Sequence, residues 1–384
     1  HLRHSRGVVN KMSQTKVEAP FVENNRPFRN MITNGDMQIS QRGTSFASIG
    51  NGDSQYTLDR WKFDEEGSFG DAEITVTQDT DVPTGEGFVK SLKCVCATAD
   101  TSIDSGTIGY INQKFEGQML QHLAKGTSGA KKTTLSFFCK SNLTGTFTVS
   151  VHDVDNARMF STSYSLASAN TWEKITINIP ADTTGALDND NARSFSIRWN
   201  LQAGTNKSNG SLASAWEAQA EGDRAVGQTN FFSSTSNNWY ITGVQWEVGD
   251  QATDFEHLPF DIKLQRCQRY CLNLIGGDYS YIAQGNFYTA TYFHFTYQFP
   301  VEMRATPTAD STDADGTFRV YSNGGYDIID EVNLVHGSTR QATLRNNTDL
   351  ASGGHNVQSA NVVGHGGGLY NPDAATILRL TAEL

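Results

Sequence analysis

The sequence predicts an all-β protein: an antiparallel jelly-roll sandwich, a short connecting helix and a smaller C-terminal β-sandwich. Three observations lead there. Between residues 28 and 259, short runs alternate apolar and polar residues, the period of a strand with one buried face. Clusters of Gly, Asn, Asp and Ser separate those runs, and 35 glycines in a 384-residue chain favour turns over helices. One stretch, 260–276, carries a helical period, and alternation returns after it.

The elements follow in chain order. Residues 1–27 read as an extended N-terminal arm. The first eleven precede Met12, a candidate initiator, and are set aside; the rest (MSQTKVEAPFVENNRP) are polar, with two prolines and scattered apolar residues. Such a segment either orders on a partner surface as an anchor or frays as a tail. The span 28–259 contains AEITVTQ (72–78), SLKCVCAT (91–98), TLSFFCKS (134–141), TFTVSVHD (146–153), KITINIP (174–180), SFSIRWNL (194–201) and WYITGVQWEV (239–248). In TFTVSVHD, Phe147, Val149 and Val151 point one way while Thr146, Thr148 and Ser150 point the other. Seven or more such strands at this spacing indicate a sandwich of antiparallel sheets. Ile262, Leu264, Cys267, Cys271, Leu272 and Ile275 fall near a 3.6-residue period and Gly276-Gly277 stops it, so 260–277 is expected as the connecting helix. Strand patterns resume over 278–384 and end in TILRLTAEL, which fits the smaller C-terminal β domain.

Charge and composition exclude several functions. Asp and Glu outnumber Lys and Arg by 41 to 30, a net charge of −11, and no basic run is long enough to neutralise several phosphates; nucleic acid is not an expected partner. Apolar runs are only a few residues long where a bilayer span takes about 20, so membrane insertion is not expected. Residues 1–20 hold no apolar signal-peptide core.

The five cysteines make no disulfide framework, and C-x-C (Cys94, Cys96) and C-x3-C (Cys267, Cys271) lack the knuckle spacing of zinc sites. They are expected as buried free thiols, with no metal or other cofactor. G-x-S-x-G, G-x4-G-K-[ST], G-x-G-x2-G and H-E-x2-H are all absent, so no enzyme of those classes is expected. Asp64, Glu65 and Glu66 are adjacent rather than placed across a cleft, and read as a solvated turn. DSTDADG (310–316) has the wrong ligand spacing for a calcium loop and reads as an acidic hairpin loop. His355 and His365 lie in glycine-rich stretches with no third ligand.

Tryptophan is more informative, because an exposed ring stacks on the apolar face of a sugar while neighbouring polar groups bond its hydroxyls. Trp61, Trp199 and Trp246 lie inside strand patterns and are expected in the core. Trp216 sits in the long loop 204–228, where no core period explains it, and Trp239, preceded by SSTSNN, begins a strand. Trp216, Trp239 and Tyr240 are therefore the candidate ligand-binding residues. The alternative is that Trp216 packs its own loop onto the sandwich.

NMITNGDMQISQRGTSF (30–46), YTLDRW (56–61), EGQMLQHLAKGTSGAKKTTLSFFCKSNLTGTFTVSV (116–151), NTWEKITINIPADTTG (170–185) and WYITGVQWEVGDQATDFEHLPFDIKLQRCQRYC (239–271) together resemble a family of bacteriophage tail-fibre and virion appendage proteins. The likeness spans about 28–276 in the family's order; Cys271 stands where the family usually has Tyr. The resemblance implies a jelly-roll domain like a carbohydrate-binding module, carried on a virion, commonly as a homotrimer, and attaching to host-surface polysaccharide. It also implies an arm that docks to other virion proteins and a particle assembled in the host cytoplasm. The alternative is a purely structural virion component, a head fibre, collar or decoration protein; a capsular depolymerase is disfavoured because no long β-helix repeat is present.

Overall fold

Thirteen of the strands pack into one sandwich because their inward residues form a continuous apolar layer that includes Trp61, Trp199, Trp239 and Trp246, each at most 1% exposed. The computed structural model describes residues 27–50, 52–275, 281–287, 292–311, 318–322, 325–329, 331–346, 366–370 and 377–384. The first sheet runs β1 (Ser45–Ile49), β4 (Glu73–Asp79), β5 (Ser91–Thr98), β13 (Asn238–Val248), β7 (Thr133–Ser141) and β10 (Glu173–Ile179). The second runs β12 (Glu217–Ala218), β9 (Arg158–Leu166), β8 (Gly145–Asp153), β11 (Arg193–Ala203), β6 (Ile108–Glu116), β3 (Lys62–Glu66) and β2 (Gln55–Tyr56). Neighbouring strands pair antiparallel throughout, so the predicted jelly-roll sandwich is the observed architecture.

The 30–46 and 239–271 blocks singled out above touch one another. Val244 N donates to Gly35 O at 2.9 Å, Met31 N to Trp246 O at 2.9 Å, and Asn30 Nδ2 to Val244 O at 3.1 Å. Gly35 is required there, since a Cβ would lie 2.1 Å from Val244 O.

The connecting helix is shorter than expected. Here α1 is the single turn Thr205–Ser208, and α2 runs Phe260–Gln268, whereas the sequence period extended to 276. Cys271 and Leu272 leave the helix for β14 (Cys271–Asn273), which pairs with β23 (Leu378–Thr381); a short apolar run satisfies either period, and pairing with the chain's last strand decides it. Residues 276–277 lie outside the described residues.

Two further antiparallel sheets form the smaller C-terminal sandwich. One is β14, β23 and β17 (Thr308–Ser311). The other is β19 (Gly325–Ile329), β18 (Phe318–Ser322), β22 (Gly366–Tyr370), β15 (Tyr281–Phe287), β16 (Phe293–Gln298), β21 (Gln341–Asn346) and β20 (Val332–Gly337). Leu272, Phe287, Phe293, Leu344 and Leu380 are buried in its separate core. The CQRY segment ties the two sandwiches together: Arg269 forks onto Glu116 at 2.8 and 2.6 Å, Tyr270 also donates to Glu116, and the Arg60 guanidinium lies 3.5 Å over the Tyr270 ring while pairing with Glu383.

The acidic residues read as a solvated turn are instead strand residues. Asp64, Glu65 and Glu66 belong to β3, and Glu66 is held by Arg224 and Arg198. Asp310 and Ser311 lie on β17, and Asp310 pairs with Arg379 at 2.6 Å; residues 312–316 of the predicted acidic loop, His355, His365 and residues 1–26 of the expected 1–27 arm fall outside the described residues. All five cysteines are free and buried.

Candidate functional site

Strand parity decides which predicted ligand residues point away from the core. On β13, Trp239 and Ile241 point inward and Tyr240 outward. Trp239 is 0% exposed, with Nε1 donating to Tyr164 Oη at 3.4 Å, so its assignment to a ligand face is corrected: it is a core ring. Trp216 is half-buried and packs on Phe195 and Phe160, with ring centroids 5.6 and 6.3 Å away. Its Nε1 donates to Pro180 O at 2.8 Å and Lys125 Nζ lies 5.6 Å from its ring centroid. These contacts pin the 204–228 loop to the sandwich, the alternative considered from sequence.

Tyr240 points to the outer face, where it is 8% exposed beneath a neighbour the sequence reading did not weigh. Trp172, in the loop before β10, meets the Tyr240 ring edge-on with centroids 6.0 Å apart, and its Nε1 donates to Asp81 Oδ1 at 3.0 Å. Lys140 Nζ lies 4.3 Å from the Tyr240 centroid and 5.3 Å from that of Trp172; Lys93 Nζ approaches Tyr240 at 5.3 Å. Each lysine is in turn neutralised: Lys140 pairs with Asp81 and Lys93 with Asp79 at 3.1 Å. Burial alone would raise the two aspartates, but hydrogen bonds to Asp79 from the Asp81 backbone and Lys93, and to Asp81 from Lys140 and Trp172, outweigh it and hold both carboxylates below their usual range.

A groove of about 310 Å³ continues the same face. Phe138 stands two residues from Lys140 on β7, on the same side, and lines the groove with Lys174, Ser136, Glu86, Phe255 and His257. Phe88 braces it, packing on Phe138, Phe255 and His257 with centroids 5.0–5.6 Å away. Gly243, at φ +62°, leaves room for Phe88; a Cβ there would lie 2.6 Å from its ring. Trp172, Tyr240 and Phe138 thus share one outward side of the sheet, Trp172 half-buried and Tyr240 and Phe138 each 8% exposed, beside carboxylates, ammonium groups and hydroxyls. That is the chemistry of a surface that stacks on a ring-shaped polyol and bonds its edges. Among the described residues no group of three or more His, Cys, Asp or Glu side chains is placed to hold a metal ion.

No family model matches the chain, and no curated protein does. Among solved structures it is similar to the enzymatically active domain of tailspike protein 4 of bacteriophage CBA120, at 15% identity and TM-score 0.31 over 58% of this chain. The chain covers 22% of that tailspike chain, about a fifth of its length. It is also similar to a family 11 carbohydrate-binding module of Clostridium thermocellum, at 10% identity and TM-score 0.27 over 53% of this chain and 95% of that one. The tandem CBM22 pair of Paenibacillus barcinonensis is similar at 7% identity and TM-score 0.27, over 89% of this chain and 98% of that one. At such TM-scores the likeness carries no argument about function, which rests on the side chains.

Proposed function

We propose that this chain is a non-catalytic carbohydrate-binding appendage of a virus particle that attaches to host-surface glycan through the outer face of its first sheet. The observation that carries this reading is the row Trp172, Tyr240 and Phe138 beside the 310 Å³ groove, with Asp81 and Lys140 at its edge. A sugar stacked on the rings would place its hydroxyls against those charged groups. Affinity at one such site is modest, and display as a homotrimer and in many copies raises it. The sequence blocks that resemble virion appendages support the virion setting, with the arm over 1–27 docking to other virion proteins and assembly in the host cytoplasm.

The test is adsorption of the purified protein to candidate host cells and to a glycan array, comparing Trp172→Ala and Tyr240→Ala with Trp216→Ala. The first two should lose binding without unfolding and the third should keep it; wild-type adsorption by both ring variants would sink the site. A second reading, a structural virion component, is favoured by one observation. Phe28, Met119 and Val248 are exposed around a cavity of about 550 Å³ beside Pro27, an apolar surface of the kind a protein partner covers. Removing residues 1–27 separates the readings: only an attachment protein so shortened would still compete for host cells.

A further inference from the structure

Many outward side chains of the second sheet are polar, and several of these are not wet. Ser150, His152, Ser161, Ser196, Asn200 and Gln202 point away from the core, and each is at most 2% exposed. The segment 204–228 crosses this face as a strap. Its Ala220 N donates to Met159 Sδ, its Arg224 O accepts from Asn200 Nδ2, its Gln228 Oε1 accepts from Thr148 N and Oγ1, and its Ala225 packs on Ile108 and Tyr110.

The strap is fastened by charge more than by apolar burial. Arg224 bonds Glu66 at 2.6 and 2.9 Å and Glu221 at 2.9 Å, Lys207 pairs with Glu221, and β12 contributes a two-residue pairing to β9. Beneath it, His152 Nδ1, Ser161 Oγ, Asn200 Oδ1 and both amide atoms of Gln202 find no partner in the protein. Left unbonded, each such buried group costs about 1–3 kcal/mol. Five hydrogen-bonding atoms on three neighbouring strands are thus free of protein partners and available to water or to a ligand.

We propose that this face is a second saccharide-binding site, closed by the 204–228 strap and opened when the Arg224 contacts release. The idle groups mix donors and acceptors and carry no formal charge, because burial and the nearby Arg198, Arg224 and Arg193 keep His152 neutral. Strands about 4.8 Å apart present them in rows, which suits a neutral chain bearing many hydroxyls better than an anion or an apolar peptide. Tyr110, with the Arg198 guanidinium 4.8 Å over its ring, stands beyond these groups on β6. The proposal shares with the reading above the class of ligand and nothing of its site.

The experiment uses the full chain carrying Trp172→Ala and Tyr240→Ala, so that the first face is silent, and titrates it calorimetrically with linear hexasaccharides of glucose, xylose, mannose and galactose. Adding Arg224→Ala should tighten binding of at least one of them about tenfold, because a larger share of molecules is open. Adding Asn200→Leu and Gln202→Leu should erase that gain. Modification of His152 by diethyl pyrocarbonate reports opening independently, and Glu221→Gln replaces Arg224→Ala if the latter does not fold. An open strap with no gain for any hexasaccharide overturns the proposal, and so does a strap that stays shut in both variants. Failure of the first-face variants to lose cell binding would instead count against the proposed function alone.

Discussion

The first sheet shows outward rings and paired charges around an open groove; the second shows outward hydroxyls, amides and an imidazole, closed over by a strap. Both faces belong to one sandwich and share one core. Their difference shows that fold class says little about where a β-sandwich meets its partners. What decides is how each face is covered. Loops 80–90 and 250–257 lie across the first sheet, with Thr242 Oγ1 donating to Lys90 O, Gln245 Nε2 to Asp254 O and Phe88 packing on Phe138, yet they leave the groove lined by Glu86, Phe138 and His257. The strap meets the second sheet without parting.

The largest effect expected from testing this contrast separates two adjacent residues. Trp239→Ala removes a fully buried indole from between the sheets and should cost about 3–5 kcal/mol, read as a lower midpoint in urea unfolding with any binding change secondary. Tyr240→Ala, one residue on and facing outward, should instead lose glycan binding while keeping most of the fold. If Trp239→Ala unfolds at the wild-type midpoint, the assignment of inward and outward residues on β13 is wrong, and the first face with it.

Acid should release the ion pairs that fasten the strap. Burial works to raise Glu66, but hydrogen bonds and charge from Arg224, with help from Arg198 and Tyr110, hold it at about 2. Glu221 is likewise held at about 2 against its burial by Lys207, Gln219 and Arg224. Because both sit below their ordinary value of 4.5, their pairs contribute fully above that pH and are lost as pH falls toward about 2. Proteolysis by pepsin within 204–228 should therefore rise as pH drops from about 4.5 to 2. Asp79 and Asp81 on the first face are also held low, so the sharper observation is that the strap is cut before the first sheet unfolds; simultaneous loss would mean that the strap is no separate unit.

Much of this was legible in the alternation of residues, and what was not has identifiable causes. β4, β5, β7, β8, β10, β11 and β13 follow the expected runs to within one or two residues at their ends. β6 escaped because Gln113 points inward, exchanging hydrogen bonds with Thr33 N and O, and a buried glutamine breaks the apolar series. β9 escaped because Thr162 takes an inward position and serines fill most of the outward ones. Trp239 was misread because a strand's first residues do not disclose their parity. Trp172 was missed although it stands in a polar loop like Trp216, the same signal that singled out the latter. The strap's role was hidden because Glu66 and Arg224 are 158 residues apart and only the fold joins them.

The smallest predicted effect tests whether Trp216 belongs to either face. Its ring fills the space between Phe195, Phe160 and Lys125, and its Nε1 gives one hydrogen bond to Pro180 O. Trp216→Phe retains a ring for that packing and gives up the hydrogen bond, a loss of about 1 kcal/mol. Glycan binding at the first face should not change, because the contacts of Trp216 lie on other elements than those of Trp172 and Tyr240. At the second face the expectation is a small gain, since Arg158 Nη2 also bonds Trp216 O and a looser ring loosens the end of the strap that begins β12. Weaker binding at the first face would return Trp216 to the ligand surface and erase the distinction between the two.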